Sequence, residues 1–524
     1  MFAFNLLYII LCVILYTTRL CEAYNVLVVF PVPVKSHFIL GNGLVRHLLE
    51  AGHEVTYITP FPKSRQENPF LREIDVINEC TIEKLMKKEV NIKRSDLVSL
   101  FFHISKGLLE HENVTKLFSN PEEQFDVVIA EWMFGELYSG ISAVFNCPFI
   151  WVSSVDPHWM VLKLIDEIPN PAYNSDTLSS NTVPFSFVQR VQELMALISG
   201  LGLQYNNIHY VYGNEDKEYK RLLVPIIQKR GHKVPDFEEL RYNASLILGN
   251  SHASMGHPMR LPQNYKPIGG YHVDDKVKPL PEELNELLDN AKHGLIYFSM
   301  GTNLRSQDIP TELKLNLLQM FAKLKQTILW KFEEDLPNKP NNVHITHWAP
   351  QQSILAHPNC ILFITHGGLL STIEAIHFGK PIIGIPGFAD QFNNVDRIVK
   401  LGCGKRVDLS YTMVDKLEKA IIDVITDPSY TSHVKERSVL YHDRPISPGK
   451  ELVHWVEVHR VNHVIRSNGA AHLRSVSLMV PWYQKSYLDL AVVGISVMVL
   501  LAFAVKRLLL KSNRFTQADV KKAQ

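Results

Sequence analysis

Residues 25–30, Asn-Val-Leu-Val-Val-Phe, form a short apolar run without alternation, and after a Pro-containing stretch Leu40, Leu44, Leu48 and Leu49 recur at helical spacing until Gly52. A strand with no polar face is buried on both sides, as in a parallel sheet, and parallel strands need a crossover connection, usually a helix. Residues 54–59, Glu-Val-Thr-Tyr-Ile-Thr, resume β character and close a βαβ unit. The unit recurs in looser form, with a strand at 125–130, a helix at 136–145 and a strand at 148–153. The first half is therefore predicted to be α/β. Between 156 and 233, Pro, Asn and aromatic residues without clean periodicity predict irregular helices capping that half.

Pro279 and Pro281 in a charged stretch at 276–281 mark a linker. Beyond it the strand candidates are 294–299, 328–332, 343–346, 361–365 and 381–386, which predict a second doubly wound domain. After Asp427-Pro428 the chain turns helical and polar, and these helices are expected to cross back and brace the first half. No internal repeat or low-complexity segment is present, which excludes a solenoid. A length of 524 residues leaves room for two sizeable cores. The expected division is a leader at 1–23, a first Rossmann-like domain at 24–275 and a second at 276–445. Bracing helices at 446–487, a membrane span at 488–505 and a tail at 506–524 complete it.

Both ends carry addresses. The apolar stretch 6–16 leads to Cys21-Glu22-Ala23, which suits cleavage after Ala23; no Lys or Arg precedes it, so the alternative is an uncleaved anchor. Near the other end residues 490–505 lack charge, and with Leu488 they reach about 18 residues, the lower limit for crossing a bilayer. Lys506, Arg507, Lys511 and Arg514 follow at once, so the positive-inside rule puts the tail in the cytosol and the rest in the lumen, a single-pass type I topology. Lys521 and Lys522, at the fourth and third positions from the end, resemble the dilysine retrieval signal of endoplasmic-reticulum membrane proteins.

The 54 Lys and Arg nearly cancel the 53 Asp and Glu, so no global field would gather nucleic acid. Of six cysteines, Cys12 and Cys21 lie in the leader, and Cys80, Cys147, Cys360 and Cys403 have no short spacing, which argues against a disulfide framework or a metal site. Asn113-Val114-Thr115 and Asn243-Ala244-Ser245 are glycosylation sequons, consistent with a lumenal chain.

The chemistry concentrates between Trp348 and Asn394. Trp348-Ala349-Pro350-Gln351 is followed by Leu355, His357 and Pro358, then by Phe363-Ile364-Thr365-His366-Gly367-Gly368. Ser371, Glu374, Ala375, Gly379, Pro381, Gly384, Pro386, Asp390, Gln391 and Asn394 continue in register. His366-Gly367-Gly368 follows a strand and precedes a helix, so bare backbone N–H groups and a helix N-terminus suit a diphosphate. A lone Gly-Gly turn before a helix is common in any fold; here its neighbours add meaning. Trp348 at a strand end offers a flat face for a base, although most Trp residues are simply buried. Glu374, on the following helix, could accept both ribose hydroxyls, as acidic residues do in dinucleotide folds, or could face solvent. Asp390-Gln391 can hydrogen-bond several hydroxyls of a hexose.

This set of fixed spacings resembles the signature of the UDP-glycosyltransferase family, and the likeness covers nearly all of the mature chain. The resemblance implies a GT-B fold, with two doubly wound domains facing a cleft, and a UDP-sugar as co-substrate. It assigns Trp348 and Gln351 to uracil, Glu374 to ribose, His366 and Ser371 to the phosphates, and Asp390 and Gln391 to the sugar. Ser299, Gly301 and the Gly367-Gly368 backbone would join the phosphate contacts. A hydroxyl acceptor must lose a proton as it attacks the anomeric carbon, which wants a base titrating near neutrality. His37 lies beyond the first strand, at the carboxyl edge where open α/β sheets bind ligands, and the family places its catalytic histidine in this Ser-His context. The family's orienting aspartate aligns with Glu131 in Ala130-Glu131-Trp132, one methylene longer, with Asp126 inside the strand as the lesser substitute.

A second departure is Lys331 in Leu329-Trp330-Lys331-Phe332, where glucuronosyl relatives tend to carry Arg. Lys lacks the bidentate fork that suits a glucuronate carboxylate. The chain looks most like insect members, which mostly use UDP-glucose. No Asp-x-Asp motif or zinc-type Cys/His spacing is present, so no metal or other cofactor is expected. The leading expectation is an inverting hexosyltransferase, of glucose first, that acts on small lipophilic phenolics, plant compounds or steroids at the endoplasmic-reticulum membrane. The alternative is a binding or carrier protein that kept the nucleotide fold without turnover. A lumenal hydrolase lacks a Gly-x-Ser-x-Gly elbow.

Overall fold

The computed structural model describes residues 23–62, 68–76, 94–165, 170–174, 176, 179, 181, 184–207, 213–255, 261–274, 276–301, 309–387, 389–461, 480–485 and 487–523. The apolar leader and Cys80 lie outside the described residues. Among them, thirteen strands form two all-parallel sheets. The first sheet runs β3-β2-β1-β4-β5-β6-β7, built from Asn25–Val29 (β1), Glu54–Thr59 (β2), Leu71–Asp75 (β3), Val127–Glu131 (β4), Phe149–Ser153 (β5), Leu246–Gly249 (β6) and Tyr265–Pro267 (β7). The second runs β10-β9-β8-β11-β12-β13, from Leu295–Ser299 (β8), Thr327–Lys331 (β9), Val343–Thr346 (β10), Cys360–Thr365 (β11), Ile382–Gly384 (β12) and Gly404–Arg406 (β13). Both repeat the order 3-2-1-4-5-6, the doubly wound Rossmann arrangement.

The central strands follow from their composition. Val26 to Val29, Val127 to Ala130 and Leu295 to Phe298 are all buried, because helices cover both sheet faces. Where the structure departs from the sequence-based expectation, the elements are edges or short pieces. β3 (Leu-Arg-Glu-Ile-Asp) and β13 (Gly-Lys-Arg) are polar, and β7 ends in Pro267. All three are edge strands, which pair on one side only and tolerate charge and proline. β6 is a four-residue strand buried throughout. The expected helix at 136–145 is a 3₁₀ turn, Leu137–Gly140, running into a short α-helix, Ile141–Phe145. The aperiodic stretch 156–233 includes a long helix, Phe187–Asn207, whose outer face is apolar and therefore defeats a periodicity argument.

Three helices position the site. Helix α1 (Lys35–Glu50) follows β1, α2 (Leu369–His377) follows β11, and α3 (Gln391–Lys400) follows β12. A fourth, α4 (Pro448–Val461), returns to the first sheet and packs against α1. Leu452 and Val456 enter the same core as Val26, Val28, Leu40, Leu44 and Leu48. His53 Nε2 lies 3.3 Å from Glu457 Oε1 at this contact. Leu452 is fully buried, so Leu452→Ala is expected to destabilise the fold by about 2–5 kcal/mol, seen as a lowered Tm.

The chain divides into two compact units, residues 1–473 and 474–524. The second contains a helix, Leu488–Ala523. Its segment Leu488–Leu508 is 21 residues long and apolar enough to cross a membrane, with none of it buried against protein; at 1.5 Å per residue it matches the roughly 30 Å hydrocarbon thickness.

Candidate active site

In each sheet the connections reverse direction between two neighbouring strands, and a crevice opens beyond their carboxyl ends. In the first sheet these are β1 and β4, paired Val29 to Ala130; in the second they are β8 and β11, paired Ser299 to Thr365. The first crevice therefore receives the residues just after Val29 and Ala130, namely His37 and Glu131. The second receives Ser299, Gly301 and His366-Gly367-Gly368.

Helix α1 begins at Lys35, which places His37 in its first turn. His37 Nδ1 is 2.5 Å from Glu131 Oε1. The extra methylene of glutamate thus still reaches the imidazole, and a bond from Nδ1 leaves Nε2 for the substrate. Glu131 is fully buried, and its Oε2 has no hydrogen-bond partner among the described residues. A buried carboxylate with one partner favours a charged neighbour. Burial pulls the His37 pKa down, but the charge and hydrogen bond of Glu131, with a further contribution from Asp390, outweigh it and leave it above 6.5. Asp126 is elsewhere: its carboxylate accepts from the Asn25 N–H at 2.8 Å, at the opposite edge of the sheet.

At the second crevice the glycines are needed for steric reasons. Gly301 has φ +75°, and a Cβ there would lie 2.5 Å from His366 Cε1; Gly367 has φ +81°, and a Cβ would lie 2.2 Å from Val395 Cγ2. Bare backbone thus closes around the His366 ring and the N-terminus of α2, as an anion site requires. Burial, assisted by the Lys331 ammonium, pushes the His366 pKa down to about 4, so the imidazole is neutral and can offer one N–H. Lys331 Nζ donates to the Gly301 carbonyl at 2.9 Å and pairs with Glu333.

The α2 carboxylate does not face solvent. Glu374 is buried, and accepts from Gln351 Nε2 at 2.5 Å and from Gln352 Nε2 at 3.2 Å. Burial raises its pKa to about 7 despite those two bonds. Gln351 also donates to Ser371 Oγ at 3.2 Å, so Gln351, Ser371 and Glu374 form one polar edge. Trp348 is unlike a core tryptophan: its side chain is 54% exposed, and Lys35 Nζ sits 4.4 Å from the ring centroid. Asp390 and Gln391 start α3. Burial, and secondarily Asp156, raises the Asp390 pKa, while Asn394 Nδ2 donates to its Oδ2 at 2.9 Å.

A cavity of about 500 Å³ joins these groups. His37, Ser299, Gly301, Trp348, Gln351, His366, Gly368, Ser371, Glu374, Asp390 and Gln391 all line it; Glu131 stands behind His37, and Gly367 behind the loop. Its opposite wall is apolar, with Leu97, Leu100, Phe101, Trp132, Met133 and Phe134. Sequence reasoning missed Lys35 over Trp348, Gln352 beside Glu374, and the Arg397–Asp156 ion pair described below. Only Gln352 had a local signal, its adjacency to Gln351; the other contacts join residues far apart in the chain. Asn113 and Asn243 lie away from the cavity, both exposed, and Asn113 Nδ2 donates to the Asp75 carbonyl at 2.9 Å. Among the described residues no cluster of three His, Cys, Asp or Glu could hold a metal ion.

Residues 35–523 match the family described as UDP-glucoronosyl and UDP-glucosyl transferase. The chain belongs to that family. It is 33% identical to UDP-glycosyltransferase UGT5 of Dactylopius coccus over 92% of each chain. It is 32% identical to UDP-glucosyltransferase 2 of the same insect, over 93% of this chain and 92% of that one. Among solved structures, the glycosyltransferase of kitacinnamycin superposes with a TM-score of 0.57 at 17% identity, covering 84% of this chain and 99% of that one. The architecture is GT-B, and this UDP-glycosyltransferase moves a sugar from a UDP-sugar co-substrate.

Proposed function

We propose that the enzyme transfers glucose from UDP-glucose, with inversion, to a hydroxyl of a small lipophilic acceptor. The observation that carries this reading is the single cavity in which the His37–Glu131 pair faces both an apolar aromatic wall and the polar second crevice. In this scheme Trp348 and Gln351 take uracil, and Glu374 takes ribose. Ser299, Gly301, His366, Gly367, Gly368 and Ser371 surround the diphosphate, while Asp390 and Gln391 hold the hexose. The acceptor lies against Leu97, Phe101 and Phe134. His37 Nε2 takes the acceptor proton as the acceptor oxygen bonds to the anomeric carbon; the glycosidic bond to UDP breaks, and the diphosphate charge is met by the N-terminus of α2. Glu131 holds the imidazole in the tautomer with Nε2 free and stabilises the imidazolium. The sequence has no Asp-x-Asp element to route a cation through this scheme, so we write it as metal-independent.

Charge favours a neutral hexose. Among the described residues the only Lys or Arg lining the cavity are Lys278 and Lys331, and the Lys331 ammonium is already engaged by Gly301 and Glu333. Lys331, already engaged in this way, is not free to meet a glucuronate carboxylate beside buried Asp390. We place the cleavable leader at 1–23, the acceptor domain at 24–275, the donor domain at 276–445, bracing helices at 446–487, the span at 488–505 and the cytosolic tail at 506–524. The setting is the endoplasmic-reticulum membrane, type I, with both domains lumenal and Asn113 and Asn243 as glycan acceptors. Lys521 and Lys522 serve as the retrieval signal.

The test is sugar transfer by microsomes carrying the full chain, with labelled UDP-glucose or UDP-glucuronate and a panel of phenols and steroids. Glucosides of the acceptors are expected. Preferential glucuronide formation would overturn the donor choice, and UDP binding without transfer of either sugar would establish the binding-protein alternative.

A further inference from the structure

The helix that begins with the sugar-facing residues is also the one that grips the opposite half of the molecule. Asp390 and Gln391 open α3, and seven residues after Asp390 the Arg397 guanidinium pairs with Asp156. Asp156 stands just beyond the carboxyl end of β5, on the rim that also supplies Ser154, Val155 and His158 to the cavity wall. Both partners are largely sheltered, with side-chain exposures of 18% for Arg397 and 26% for Asp156. Asp156 also acts on Asp390: two carboxylates, one from each half, oppose each other, and Arg397 offsets that repulsion. One turn earlier on the same helix, Asn393 Nδ2 donates to the Asp176 carbonyl at 3.2 Å. Asp176 belongs to the first half, where its carboxylate accepts from Trp159 Nε1 at 2.8 Å and its N–H donates to Glu193 Oε2 at 2.7 Å.

We propose that Arg397, through Asp156, is a positioning residue for the donor sugar, locking the start of α3 against the acceptor rim so that Asp390 and Gln391 meet the hexose beside His37. The inference rests on the UDP-sugar reading of the cavity and goes beyond it, because neither Arg397 nor Asp156 lines the cavity. Its signature is selective. Uracil, ribose and diphosphate contacts are made by Trp348, Gln351, Glu374 and the His366 loop, all within the second half, so a loosened latch leaves UDP binding intact. The sugar contacts depend on where α3 begins, and the acceptor stands on the half the latch joins. A partly sheltered ion pair with a compensating role exceeds the value of an exposed one, and its loss exposes Asp390 to Asp156 uncompensated.

The experiment compares wild type, Arg397→Ala, Asp156→Asn and the charge-exchanged double variant Arg397→Asp with Asp156→Arg. All are made as the full chain in microsomes, with the Kd for UDP and the KM and kcat for UDP-glucose measured on each. For Arg397→Ala, the KM for UDP-glucose is expected to rise about tenfold while the Kd for UDP stays within about twofold; the exchanged pair should recover most of the loss. Unchanged KM in both single variants overturns the proposal. A parallel loss of UDP affinity overturns it too, since Arg397 would then merely support the fold of the donor half. Failure of the exchanged pair to recover, with UDP binding intact, assigns the effect to something other than this ion pair and also overturns it. If wild type binds no UDP, the underlying reading of the cavity falls, which is a result distinct from all of these.

Discussion

Replacing His37 with Ala is expected to lower kcat about 10²- to 10⁴-fold, the range of a positioned general base, with the Kd for UDP unchanged. In the proposed scheme the ring meets the acceptor hydroxyl and not the donor, so its loss removes proton transfer without removing a donor contact. The companion change, Glu131→Gln, tests the pair through pH. Burial alone would lower the His37 pKa; Glu131 holds it above 6.5. With His37 as the proposed base, transfer needs the neutral imidazole, so wild-type kcat should fall as pH drops through that raised pKa, and in Glu131→Gln the acid limb should move to lower pH while the plateau falls. An acid limb that stays in place would mean that another group titrates. The same pair carries a linkage term. A raised histidine pKa stabilises the fold fully below 6.5, the unfolded value, and that contribution fades as pH rises through the folded pKa. The fold therefore gains from the proton in the pH range where catalysis loses by it.

The second large effect concerns Glu374. The proposed Glu374–ribose contact, two charge-assisted hydrogen bonds each contributing about 1.5–3 kcal/mol, predicts that Glu374→Ala weakens UDP binding by on the order of 10²-fold or more. Calorimetric titration with UDP measures this directly. Because burial holds the Glu374 pKa at about 7, UDP affinity in wild type should fall as pH drops through 7, where the carboxylate takes up a proton and loses acceptor capacity. Glu374→Gln should remove that dependence. If Glu374→Ala binds UDP as wild type does, the carboxylate serves only to hold Gln351 and Gln352, and the ribose assignment fails.

Much of the second crevice was legible because its residues are close in sequence. Trp348 to Asn394 span two strands, two helices, the start of a third and their loops, so local spacing set their faces, and the family likeness supplied roles. Trp348 and Glu374 still needed the fold. The first could have been an ordinary core ring and is instead half exposed under Lys35; the second could have faced water and is instead buried under two glutamines. The three polar or proline-ended edge strands were illegible for a related reason, since their pairing is decided by a neighbour and not by their own periodicity.

The sequence by itself determined the α/β class, the two halves, the apolar C-terminal segment and the glycine loop at His366, because each depends on composition or on short-range spacing along one strand or helix. Tertiary structure alone decided that Glu131, 94 residues from His37, reaches its imidazole, and that Arg397, 241 residues from Asp156, ties α3 to the segment just after β5. Such contacts arise from how two sheets stack their carboxyl edges across a cleft. That geometry comes from the packing of whole elements, which no local pattern encodes.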